Sequence, residues 1–232
     1  MFIDWTSDLQ MVLRWTHFVA GITWIGILYF FNWINGATMK SLEPAVKNKV
    51  FPELMARSMF YFRWGALVTW ISGFGYFTWI ITAEGGKHSA LGIWLGLWVL
   101  AWLVMFGVLR PLAGALNKGI VVGIITLIVI SVVGYVVLTA GQDGLLSSRS
   151  KSIGIGGGLG TIMLMNVWGI IWPAQKRIIN WTRAAADTGA AMPPEAAKLG
   201  RRAFLASRMN TWLSFPMLWL MGAASHWPIF GA

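Results

Sequence analysis

Six apolar stretches, near residues 10–34, 60–83, 91–112, 119–140, 154–174 and 211–230, constrain this chain more than any other feature. At about 1.5 Å of rise per residue, each is long enough as a helix to cross a hydrocarbon layer of about 30 Å. A backbone in lipid has to satisfy its own hydrogen bonds, and a helix does so within a single segment. Charged residues make up only 11% of the 232, too few to cover a water-soluble surface. The expected fold is therefore all-α, a polytopic transmembrane helix bundle of about six membrane helices, with residues 1–232 forming a single integral membrane domain. The first stretch is not expected to be a cleavable signal. Asp4 and Asp8 precede it where a basic segment would be needed, and its apolar run is too long.

The formal charge of +10 follows from topology. Lys40, Lys47, Lys49, Arg57, Arg63, Arg110, Lys118, Lys176, Arg177, Arg183, Lys198, Arg201, Arg202 and Arg208 all fall on one side of the six spans, against Lys87, Arg149 and Lys151 on the other. The positive-inside rule puts the first group in the cytoplasm and both termini outside. The lipid bilayer, not nucleic acid, is the expected partner of this charge. Two cytoplasmic segments, Pro44–Ser58 and Pro194–Ser207, are amphipathic and are expected to lie along the interface as separate helices. Ala184–Pro193 is expected to link them flexibly to the spans.

The glycine run Gly154, Gly156, Gly157, Gly158, Gly160 lacks the spacing of a phosphate loop and sits in an apolar segment. Close helix packing is its expected role, shared with the pairs Gly92/Gly96 and Gly119/Gly123. Several of the 16 Trp, among them Trp5, Trp33, Trp79, Trp172, Trp181 and Trp227, fall at span boundaries as an aromatic belt.

Ionisable groups inside a membrane are costly, so each marks a partner or a task. The spans hold no Asp or Glu in their interiors, which argues against a carboxylate proton relay; Arg14, His17 and His226 remain. His17 and His226 occupy similar depths near the outer face. Each has a glycine one turn deeper, Gly21 and Gly222, and a tryptophan beyond it, Trp24 and Trp219. A missing side chain beside an imidazole leaves room for a flat ligand, and Arg14 sits one turn outward, where the propionates of a tetrapyrrole would emerge. The constellation fits a b-type haem with His17 and His226 as iron ligands. Two readings compete with it. A histidine also ligates the magnesium of a (bacterio)chlorophyll, and an imidazole that only hydrogen-bonds a neighbouring carbonyl needs no cofactor. The chain has no cysteine, which rules out disulfides, thiolate metal sites and c-type haem attachment within it. His88, beside Lys87, is expected to be a solvated loop residue.

Three stretches carry a family resemblance. Arg14-Trp-Thr-His17-Phe-Val-Ala-Gly21 through Asn32 resembles the opening helix of the membrane domain of cytochrome c-linked urate hydroxylases, the urate oxidase N-terminal domain family. Asn166 through Pro173-Ala-Gln175-Lys176-Arg177 is similar to that family's P-x-Q-x-K/R helix end. Ser207-Arg-Met-Asn210 through Pro216, Met221 and His226 is similar to its S-x-x-N-x-x-L-x-x-P…M…H block. The resemblance implies oxidation of urate without direct use of oxygen, a bacterial inner-membrane location, and electron delivery to an outer c-type cytochrome or other membrane subunit. It also implies further helices and a fused cytochrome c part beyond His226, which this chain is expected to lack. Met209 and Trp212 stand where the family pattern has histidine and tyrosine. Arg14, Trp15 and Arg63 are the basic and aromatic groups nearest to hand for a planar anion such as urate. The alternative is a non-catalytic structural or pigment-binding subunit of a respiratory or photosynthetic complex.

Overall fold

A computed structural model describes residues 5–108, 118–140 and 145–231, and every regular element among them is helical. The elements are α1 (Trp5–Tyr29), α2 (Gly36–Ser41), α3 (Pro44–Ala83), α4 (His88–Leu103), α5 (Gly119–Ala140), α6 (Ser148–Asn166), α7 (Trp172–Thr188) and α8 (Glu195–Ala223). Three π-helical stretches, Phe30–Asn35, Val104–Val108 and Val167–Ile171, extend α1 into α2, prolong α4, and join α6 to α7. The result is a bundle of six rods, five of them long and apolar enough to cross a membrane.

The rods differ from the sequence expectation mainly at their ends. Pro44–Ser58 is not a separate interfacial helix but the first part of α3, which runs unbroken for 40 residues. No glycine separates Ser58 from the apolar run, and the internal Pro52 does not break the helix. Pro194–Ser207 likewise continues into α8. The expected flexible linker is helical as far as Thr188. It ends at Gly189, whose φ of 70° places it in the left-handed region that a glycine adopts without strain, and whose N–H donates to the Ala185 carbonyl. The start of α4 lies near expectation, whereas the expected continuation over 109–112 lies outside the described residues.

Lipid tails are as apolar as leucine, so contacts between membrane helices depend on close packing and hydrogen bonds rather than on burial from water. α6 occupies the centre, with 61% of its apolar window buried against 17% for α1 and for α5. The glycine run makes that position available. Trp94 of α4 donates its indole N–H to the Gly154 carbonyl at 2.8 Å, the Trp98 ring lies directly against Gly158, and Met217 and Leu220 of α8 close on Gly156. Packing is thus what the run does. Gly92, Gly96 and Gly123 behave differently, each with open space where a side chain would be.

α8 is turned inside out. Its polar residues Asn210, Thr211 and Ser214 are buried in the bundle, while Trp212, Phe215, Leu218 and Trp219 are exposed. That inversion suits a lipid surround and lowers the average hydropathy of a helix whose outer face is apolar.

Candidate functional site

The site begins with how α1 meets α3. The two run antiparallel, and the contact face of α3 carries small residues one turn apart: Gly65, Thr69 and Gly73. A side chain at Gly65 would meet the Ala20 carbonyl and the Trp24 backbone at 3.4 Å. Eight residues on, at Gly73, the space is filled by the His17 ring, whose Cε1 and Nδ1 would lie 2.6 Å from a Cβ at that position. His17 Nδ1 donates to the Thr69 carbonyl at 2.7 Å, because a carbonyl can only accept. That bond fixes the proton on Nδ1 and leaves the Nε2 lone pair with no hydrogen-bond partner among the described residues. Thr69 Oγ1 donates to the Gly65 carbonyl at 2.6 Å, which fixes the threonine rotamer beside the histidine.

The glycine that accommodates His17 is therefore Gly73, on the neighbouring helix. Gly21, expected to leave a gap, has the Thr69 methyl 3.7 Å from where its Cβ would be. The corresponding expectation at the other end also changes. α8 stops at Ala223, and His226 lies in the following turn, exposed, with its backbone N–H on the Ala223 carbonyl. Pro228 explains the stop, since it disfavours helical geometry at Trp227 and has no N–H to give. Gly222 is exposed with open space around it, and Trp219 is 63% exposed.

Tyr29 Oη and Ser214 Oγ are 2.8 Å apart, and Asn32 donates to Ser207 Oγ, so α1 and α8 are antiparallel. His17 and His226 each lie twelve residues from the Tyr29–Ser214 contact toward the same end, which puts them at similar depths. They share a layer but hold different neighbours, because the His17 ring is committed to α3.

One helical turn from His17, the Arg14 guanidinium lies over the Tyr76 ring, 5.7 Å from its centroid. Arg149, at the start of α6, approaches the same ring at 5.9 Å and donates from Nη2 to the Tyr76 hydroxyl at 2.7 Å. From the sequence Arg149 is expected only as a charge outside the spans. Its convergence with Arg14 arises from helices far apart in the chain and leaves no local signal. Glu84, at the end of α3, accepts from the Ser147 hydroxyl at 2.6 Å and forms no ion pair with either arginine among the described residues.

Arg63 lies 13 residues along α3 from Tyr76, about 20 Å away. Its guanidinium is stacked over Trp172 at 3.8 Å, with Phe60 and Trp168 at 5.8 Å. Arg14 and Trp15 therefore do not converge with Arg63 on one anion site. Nearer the centre, Trp102 donates to Asn166, Asn166 to Asn210, and Asn210 to the Met163 carbonyl, at 2.9, 2.7 and 3.0 Å. Met209 is buried, with the Thr126 hydroxyl 3.0 Å from its sulfur, and Trp212 is exposed. His88 is exposed at the start of α4, its Nε2 2.8 Å from Thr82 Oγ1.

Among the described residues, no three His, Asp or Glu side chains gather as a multi-ligand metal site would require. His17 is a single nitrogen donor held in one tautomer, the arrangement that axial ligation of a tetrapyrrole asks of a protein. A family model described as urate oxidase N-terminal matches residues 44–232, from the start of α3 onward, so α1 lies outside the matched stretch. No curated protein and no solved structure matches the chain.

Proposed function

The chain belongs to the urate oxidase N-terminal family, and from that premise we propose that it is a membrane redox domain holding a b-type haem through His17. The observation that supports this reading is the His17 geometry. A backbone carbonyl holds Nδ1–H, the ring rests on Gly73, and Nε2 is left free to donate its lone pair. The haem supplies one-electron transfer when bound. The chain's own part is to fix the imidazole tautomer and to seat the ring against Gly73. His226, at similar depth in an exposed turn, is available as a second ligand only if that turn moves inward. In this reading electrons leave toward an outer c-type cytochrome or another membrane subunit.

The test is an absorption spectrum with a pyridine haemochrome assay on the purified wild type, His17→Ala and His226→Ala. The expected result is a haem b spectrum in the wild type, lost in His17→Ala. A colourless wild type isolated together with its membrane partners overturns the reading, and a long-wavelength band of a magnesium tetrapyrrole replaces haem with pigment. Orientation is tested separately with cysteines at the exposed positions Ser89 and Ala190. Labelling of Ser89→Cys from the periplasm and of Ala190→Cys from the cytoplasm is expected, and labelling of both from one side sinks the topology.

A further inference from the structure

Arg14, Tyr76 and Arg149 bring together more hydrogen-bond donors than the described residues pair with acceptors. Arg149 spends one N–H on the Tyr76 oxygen, and its Nε is buried without a partner. Because the phenol oxygen is accepting, the phenol's own hydrogen remains to be given. Arg14 touches the ring only through its π face. Two guanidinium charges thus approach one aromatic ring, and among the described residues no carboxylate forms an ion pair with either. Glu84 accepts from Ser147 on Oε1 alone, its Oε2 being buried and not in hydrogen-bond contact with either arginine, and Asp8 lies on the exposed start of α1 without an ion pair among the described residues.

The position of the cluster narrows what could supply the acceptor. Tyr76 lies seven residues, about 10 Å, inside the end of α3. It stacks on Trp79, with ring centroids 5.9 Å apart and an interplanar angle of 18°, a pairing suited to the membrane interface. From Arg14, the same face of α1 continues one and two turns inward to Phe18 and Ile22, which are 69% and 61% exposed. A cationic head followed by an open apolar row matches an anion carried on a hydrophobic body.

We infer that Arg14, Arg149 and the Tyr76 hydroxyl bind the phosphate of an anionic phospholipid, with its acyl chains laid along Phe18 and Ile22. Arginine suits this role because its planar fork can give two parallel N–H bonds to one phosphate. The inference does not depend on haem.

The experiment is native mass spectrometry of the full chain released from nanodiscs of mixed phosphatidylglycerol and phosphatidylcholine. The wild type, Arg14→Gln, Arg149→Gln, the double variant and Tyr76→Phe are compared, with circular dichroism confirming the helical fold of each. The wild type is expected to retain phosphatidylglycerol over phosphatidylcholine by at least tenfold. Each single arginine variant should lose most of that preference, the double variant all of it, and Tyr76→Phe a few-fold. Arg14→Lys and Arg149→Lys should restore part of it. Equal retention of the two lipids by the wild type, or undiminished preference in the double variant, overturns the inference. So does displacement of the lipid by millimolar inorganic phosphate alone, which would mark a site for a free oxyanion. A haemochrome assay on the same variants separates the remaining source. Loss of haem with lipid preference intact assigns the arginines to cofactor carboxylates and overturns the lipid site. A normal lipid preference in His17→Ala shows the two sites to be separate.

Discussion

The Trp102–Asn166–Asn210 network and the His17–Arg14–Arg149 region are both polar groups set among apolar helices, yet they are finished differently. In the first, each side chain gives to the next and the series ends on the Met163 carbonyl. In the second, one imidazole nitrogen, the Arg149 Nε–H and the phenol hydrogen have no partner among the described residues. A closed network of this kind holds helices α4, α6 and α8 in register. An open one, placed where α1 meets α3 and the start of α6, leaves polar groups able to bond a ligand, as proposed above for haem and for a phospholipid.

The largest expected effect comes from opening the closed network. Asn210→Leu leaves the buried Asn166 Nδ2 without its acceptor, while Trp102 stays on Asn166 Oδ1 and the Val167 N–H on the Met163 carbonyl, and should cost about 1–3 kcal/mol. This would be read as a clear fall in the detergent melting midpoint. Asn166→Leu with Asn210→Leu should cost less than the two single changes added, because the same bond is lost in both. Additive losses would mean that the asparagines act independently. Next is Gly158→Ala, which sets a methyl into the Trp98 ring and should cost about 1–3 kcal/mol. An unchanged midpoint would show that the ring moves aside without penalty.

At the open end, function should respond more than stability. Gly73→Ala displaces the His17 ring from the Thr69 carbonyl. It is expected to abolish the haem spectrum at a stability cost of about 1 kcal/mol, the loss of one hydrogen bond. Gly21→Ala meets only an ordinary contact with Thr69 and should keep the spectrum. If Gly21→Ala bleaches the protein and Gly73→Ala does not, the flat ligand lies where the sequence alone would put it, and the α3 seam is only packing. The smallest effect is expected at Gly222→Ala, within about 0.5 kcal/mol and with no spectral change, since nothing stands near that position.

The six rods were legible because membrane crossing is a one-dimensional requirement on length and apolarity, and the central glycine run was legible because close packing leaves small residues in series. Helix ends were less so. Pro44 and Pro194 announce starts, but no residue announces a stop between the amphipathic segments and the spans, and the helices simply continue. Within the candidate site, His17 and Arg14 could be named from their cost in a membrane. Their true neighbours, Thr69, Gly73, Tyr76 and Arg149, sit more than fifty residues away, and no local pattern links them. The misplaced expectation for Gly21 and Gly222 has one cause: spacing along a single helix says which residues share a face, not which neighbour that face meets.

The inversion of α8 bears on how the protein is made. A segment carrying Asn210, Thr211 and Ser214 is a poor candidate to enter a bilayer by itself, since those groups would face hydrocarbon alone. It leaves the ribosome after α6, whose Asn166 and Met163 groups bond Asn210 and have by then already been synthesised. The order of the chain thus makes the earlier helices the template on which α8 inserts.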